Sequence, residues 1–267
     1  MARRPVCAAR AAATALAAGA VLAAAAGSEA RAWTDATRVR MIRDALKVTP
    51  PSLNAILDHY RRDLDRGMTT PSSHESEEVH FQLADGSAGL AAAAVAAKGK
   101  EALSYLQRKH GLRRFTFEMG TLAHLVSDVS FPLSASDADR REPLYREAYR
   151  DYIERSLGKI PFVLDRAPAP LLDAGDLAGY LMESARRAGR DYARIGAAFN
   201  DDGSPRSSAA LDERSVPFGL ASLAYSQAVN DIVRLWTHLW ASAEGDPSGA
   251  PYGVAPPHAA AVTGQVP

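Results

Sequence analysis

His124 and Asp128 stand four residues apart in the stretch Phe117-Glu-Met-Gly-Thr-Leu-Ala-His-Leu-Val-Ser-Asp-Val-Ser-Phe-Pro132. On a helix this spacing puts an imidazole and a carboxylate on one face, where they either share a metal ion or form a hydrogen-bonded pair that needs no metal. His80, in His74-Glu-Ser-Glu-Glu-Val-His80-Phe, offers a third ligand from a segment otherwise readable as an acidic, solvated loop. Three protein ligands with one position left for water is the composition of a catalytic zinc site, which acidifies that water. Trp33 adds a fourth candidate. If it begins the processed chain, its α-amino group and carbonyl oxygen can chelate a metal; otherwise its ring is a buried aromatic that ties the chain end to the domain.

Trp33 begins the processed chain only if the first 32 residues are removed. Arg3, Arg4 and Arg10 precede an uncharged, alanine-rich run from Ala11 to Gly27, and Ala30-Arg31-Ala32 supplies a small-x-small cleavage site. This is the pattern of a secretory signal, and the run is shorter and less apolar than a membrane span needs. Residues 1–32 are therefore expected to be cleaved and the protein exported, to a periplasmic or extracellular location without a transmembrane anchor. The full chain has 267 residues, with 31 basic and 31 acidic side chains and one cysteine. Processing removes four arginines, one glutamate and Cys7, which leaves a net charge of −3 and no thiol. Disulfides and cysteine ligands are thereby excluded, and any metal must be held by His, Asp, Glu or backbone groups. The acidic balance argues against a stable complex with nucleic acid, although not against nucleic acid as a substrate.

The candidate ligands must be positioned by helices. Apolar residues past Trp33 recur at helical spacing, and few segments alternate as strands do. Periodicity predicts helices over 36–47, 51–66, 89–110, 114–129, 142–157, 174–199 and 211–241. In the last of these, Leu220, Leu223, Ala224, Ile232, Leu235, Trp236 and Leu239 mark one face. Pro50-Pro51, Gly67 through Ser73, Ser134 through Asp139, Pro161 through Pro170 and Asp201 through Pro205 supply turn chemistry between them. The fold class is all-α, with one helical domain over 33–243. Residues 244–267, rich in Pro, Gly and Ala, read as a disordered tail.

A secretory signal ending before Trp, a helix bearing His-x3-Asp followed by x3-Pro, and an earlier Gly-loop-His resemble the zinc-dependent phospholipase C and single-strand-specific nuclease superfamily. The resemblance extends over most of the processed chain. Leu57 through Gly67 looks like the helix leading into the family's first metal loop, His80-Phe81 like its His-Phe element, and Ser222 through Trp236 like its closing helix. The resemblance implies a helical fold, a zinc cluster whose ligands include the N-terminal Trp, and hydrolysis of phosphate esters of phospholipids or nucleic acids.

Carried over position by position, Trp33, His80, His124 and Asp128 match family ligands, with Asp128 at the place of the bridging carboxylate. Arg38 falls where the family has a His, Ser72 where it has an Asp, and Ser134 where it has another His. The family's His-x3-Glu pair is absent from Tyr145-Arg-Glu-Ala-Tyr149-Arg-Asp-Tyr-Ile153. His74, Glu77 or Glu78 could substitute for the ligand lost at Ser72. The resemblance thus implies fewer than the family's three zinc ions, and one ion at His80, His124 and Asp128 fits the ligands that remain.

The expectation is a monomeric phosphoric ester hydrolase acting on a phospholipid or nucleotide. Asp128 would serve both as ligand and in catalysis, while Arg38 or the Trp33 amine would stabilise charge developing on the phosphoryl group. The alternative is a non-catalytic protein on the same scaffold that binds a lipid, a phosphate group or another protein. In that case Arg38 takes the place of a metal by pairing with Asp128.

Overall fold

The structure is a computed structural model, and it describes residues 32–70, 76–107 and 111–251. The expected signal segment up to residue 31, Ser72 and His74, and the tail beyond residue 251 lie outside these. All described residues belong to one compact unit.

Ten α-helices follow one another among the described residues, and no strand is present, only two isolated bridges. They are α1 (Asp35–Leu46), α2 (Pro51–His59), α3 (Arg61–Thr69), α4 (Ala91–Gln107), α5 (Leu112–Val129), α6 (Glu142–Ser156), α7 (Pro170–Asp173), α8 (Leu177–Gly189), α9 (Tyr192–Gly196) and α10 (Val216–Ser242). The all-α class therefore holds. No described helix is long and apolar enough to cross a membrane.

Local chemistry explains most helix starts. Thr34 caps α1 by accepting a hydrogen bond from the Thr37 amide, Asp176 caps α8 through Gly179, and Ser215 caps α10 through Phe218. Proline opens α2 and sits in the first turns of α6 and α10, where a missing N–H costs nothing.

Two continuous stretches of periodicity are broken. The helix expected over 51–66 is interrupted at Tyr60, whose φ of −103° and ψ of 31° leave the helical region and turn α3 onto a new axis. The helix expected over 174–199 splits into α8 and α9 around Asp191, with residues up to Asp176 outside both. On α10, Leu223 is 48% exposed, whereas Leu220, Ala224, Ile232, Leu235, Trp236 and Leu239 are buried as the period requires.

The core is built around α5, which is buried along almost its whole length from Phe115 to Val129. α3, α4, α8 and α10 surround it. The closest approach is to α3, where Gly67 faces Gly120. A Cβ at Gly67 would collide with the Phe117 carbonyl oxygen, and one at Gly120 with that of Leu64, so only glycine lets the two backbones meet. On the opposite side Trp236 of α10 donates its indole N–H to the Met119 carbonyl at 2.9 Å.

Residues 244–251 fold back onto the domain. The Asp246 carbonyl accepts hydrogen bonds from Ser52 and Trp240, and the Gly245 amide donates to the Trp240 carbonyl.

Candidate metal centre

A helix buried on all sides can carry polar side chains only if each finds a partner. α5 carries His124 and Asp128 at 3% and 1% exposure, and their partners come from three other parts of the chain. The Gly67–Gly120 contact supplies the first. Because the backbones of α3 and α5 approach so closely there, the Met68 carbonyl reaches His124 Nδ1 at 2.8 Å. A carbonyl can only accept and a guanidinium can only donate, so Nδ1 sits between the Met68 carbonyl and Arg38 Nη1, each at 2.8 Å. A carbonyl partner of this kind orients a metal-ligating histidine.

His80 is the second partner. It ends a short 3-10 turn, Glu77–His80, followed by a tight reversal that returns to α4. The reversal is held by the Leu90 amide to the Glu78 carbonyl at 2.7 Å and the Leu83 amide to the Ala88 carbonyl at 3.0 Å. Gly89, at a φ of +94° and with its Cα against the Phe81 carbonyl, is a position that no side chain fits. Thus anchored, His80 Nδ1 lies 3.0 Å from Asp128 Oδ2 and 3.2 Å from His124 Nε2.

His124 Nε2 is in turn 3.2 Å from Asp128 Oδ2. Three candidate donor atoms therefore form a nearly equilateral triangle. Its corners lie about 1.8 Å from its centre, within the roughly 2.0–2.2 Å of zinc–nitrogen and zinc–oxygen bonds. Its sides approach the ~3.3 Å that separates ligand atoms on one face of a zinc tetrahedron. Among the described residues this is the one group of three or more His, Cys, Asp or Glu side chains close enough to hold an ion. Glu77 and Glu78 are exposed and stand outside it. The donor set, two imidazoles and one carboxylate, fits zinc or another borderline divalent ion.

Arg38 is the third partner, and it bears on the same atoms. Its side chain is buried, with Nη2 donating to Asp128 Oδ1 at 2.5 Å and Nη1 lying 2.8 Å from His124 Nδ1. The guanidinium thus holds Asp128 Oδ1 and also reaches the triangle itself, with Nη1 3.3 Å from His124 Nε2. Its Nε is buried without a hydrogen-bond partner. Burial works to raise the Asp128 pKa, but Arg38 and the neighbouring imidazoles outweigh it and hold the carboxyl well below the usual range. Asp128 is consequently ionised at any physiological pH.

Trp33 packs beside the same turn of α5. Its indole N–H donates to the Ser127 carbonyl at 2.8 Å, and its ring meets the edge of Phe131 with centroids 4.9 Å apart. Phe131 stacks on Tyr149, and Tyr145 stacks on Phe199 at 4.6 Å. The face of α6 that bears Tyr145 and Tyr149 is therefore filled by buried aromatic rings. Ser134 is buried in the short turn after α5, where its amide donates to the Phe131 carbonyl.

Sequence reasoning did not identify the Met68 carbonyl as a partner of His124. The pair of glycines that delivers it, Gly67 and Gly120, was the available signal, since small residues mark places where backbones come together. It also missed a second buried network on α8 and α10. There Asp231 accepts from Tyr180 and Ser184 at 2.5 Å each and from Arg187 at 2.9 and 3.0 Å. Every carboxylate lone pair in that network has a donor, which makes it a structural clamp between helices.

No family model matches this chain, and no curated protein sequence matches it significantly.

Proposed function

We propose that this chain is an exported phosphoric ester hydrolase of the phospholipase C and single-strand nuclease type, working with a single zinc ion held by His80, His124 and Asp128. The observation that carries the reading is the triangle of His80 Nδ1, His124 Nε2 and Asp128 Oδ2, with sides of 3.0–3.2 Å. A bound zinc ion supplies Lewis acidity at a phosphoryl oxygen and lowers the pKa of water toward neutrality. Met68 orients the His124 ring through Nδ1, which turns Nε2 toward His80 and Asp128. Arg38 holds Asp128 Oδ1 and so orients the carboxylate, while its charge opposes an ion bound at Oδ2. His80, with 19% of its side chain exposed, is the most accessible of the three and forms the side from which a substrate approaches.

A second reading is favoured by the 2.5 Å contact between Arg38 and Asp128. In it the guanidinium supplies the positive charge that a metal supplies elsewhere, and the chain is a non-catalytic binding protein on the same scaffold. Metal stoichiometry separates the two. Secreted protein beginning at Trp33, equilibrated with excess zinc and desalted, is expected to retain about one ion per chain. It should also hydrolyse a chromogenic phosphodiester, with turnover lost to chelator and in His124→Ala. Absence of bound zinc refutes the hydrolase and leaves the ion-pair reading.

A further inference from the structure

The metal centre occupies the C-terminal half of α5, while the N-terminal turns of α3 and α5 carry a separate concentration of arginines. A shallow groove of about 460 Å³ is lined by His59, Tyr60, Arg61, Arg62, Asp63 and Arg113. A second groove of about 260 Å³ adjoins it, sharing Asp63 and Arg113 and adding Arg66, Arg114 and Phe117. Five guanidiniums and one carboxylate thus line one continuous depression. The larger groove alone falls within the roughly 300–1,000 Å³ of small-molecule sites.

The arrangement is costly to the fold itself. Arg61, Arg62, Arg113 and Arg114 lie in the first turns of their helices, where the backbone dipole disfavours cations. Neither helix start has a side-chain cap. Arg66 and Arg114 crowd over one ring, with their guanidinium carbons 5.1 and 5.3 Å from the centre of Phe117. The available carboxylates do not neutralise the set. Asp63 is shared between Arg113 at 2.7 Å and Arg66 at 3.2 Å, Arg61 pairs with Asp65, and Arg114 with Glu118. Arg62 is exposed and makes no ion pair among the described residues.

Guanidinium forks match phosphate oxygens two at a time, and a cluster of them on a rigid helix pair is a preorganised oxyanion receptor. Asp63, in the middle of the depression, repels an anion placed directly over it. Negative charge is instead favoured on either side, near Arg61, Arg62 and Arg113 in one groove and near Arg66 and Arg114 in the other. We infer that this double groove binds a soluble polyanion with at least two linked phosphates, of the pyrophosphate class, straddling Asp63. The site is distinct from the metal centre, since even the nearest pair of residues on α5, Phe117 and His124, is separated by about 10 Å at 1.5 Å per helical residue, and the inference does not depend on zinc.

Calorimetric titration of the full, chelator-treated chain with pyrophosphate tests it. Saturable binding near one per chain is expected, at least tenfold tighter than for orthophosphate and weakened severalfold when sodium chloride rises from 50 to 300 mM. The double variant Arg62→Glu, Arg113→Gln changes only exposed side chains. It should lose at least tenfold in affinity while still melting cooperatively, and His124→Ala, once shown to be folded, should bind as the parent does. No saturable heat at millimolar pyrophosphate overturns the inference, as does undiminished binding by the folded double variant. Equal affinity for orthophosphate overturns it too, as does loss of binding in His124→Ala, which would place the anion at the metal centre. Retention on phosphatidylglycerol vesicles without pyrophosphate binding also overturns it and makes the surface a membrane contact.

Discussion

Replacing Arg38 by Gln separates what the guanidinium does for the fold from what it does to a metal. In the absence of metal, Arg38 is the fixed cation facing a fully buried Asp128 carboxylate across 2.5 Å. Removing one partner of such a buried pair costs about 3–5 kcal/mol because the other charge is left behind. For a domain of this size that corresponds to a fall in melting temperature on the order of 10 °C. Zinc should respond in the opposite sense. An ion on Asp128 Oδ2 would lie roughly 5 Å from the guanidinium, and Coulomb's law at an effective dielectric constant of about 20–40 gives about 3–7 kcal/mol of repulsion. Arg38→Gln is therefore expected to bind zinc at least about a hundredfold more tightly than the parent, read by competition with a chromophoric chelator. Its melting temperature should rise with zinc far more than the parent's, because a ligand stabilises in proportion to the logarithm of its concentration over its dissociation constant. If the variant binds zinc no more tightly, or melts at a temperature indifferent to zinc, Arg38 does not occupy the electrostatic place of a metal.

Two further outcomes test the frame around the site. Gly120→Ala gains roughly 0.5–1 kcal/mol of intrinsic helix preference, but its Cβ meets the Leu64 carbonyl and must push α3 away. A net loss of about 1–3 kcal/mol in a denaturant melt is expected, together with weaker zinc binding as Met68 withdraws from His124; a variant as stable as the parent refutes the close contact. Glu118, buried on α5 beside Arg114 at 2.6 Å, has its pKa raised by burial, only partly offset by Arg114 and Lys98. The folded state therefore holds that proton more strongly than the unfolded state, and this group's contribution falls as pH rises from 4.5 through the raised value. Glu118→Gln should accordingly gain stability relative to the parent above that window and converge with it below, as measured by urea melts from pH 4 to 8. A constant difference across that range contradicts the assignment.

The helical class and the placement of most helices are legible in the sequence, because a 3.6-residue apolar period and a capping side chain are properties of neighbouring residues. Also legible is that His124 and Asp128 share a face, since four residues of helix fix that relation wherever the helix lies. The breaks at Tyr60 and Asp191 were not legible, because apolar periodicity continues through both while the chain turns to satisfy packing elsewhere. Leu223 shows the same limit. It keeps the helical period of α10, yet it is 48% exposed among the described residues, and period alone does not say where neighbours stop.

The centre itself was decided by tertiary structure. His80 meets His124 across 44 residues of chain, Met68 across 56 and Arg38 across 86. The distances among their polar atoms follow from how closely α3 can lie on α5 and how tightly the reversal after His80 closes. The arginine groove has the same origin, because two short basic segments, each unremarkable alone, share a surface only after Gly67 and Gly120 bring their helices together. Local sequence fixes which groups a helix presents. Long-range packing fixes which groups they face, and the energy of a buried charge depends on its partners.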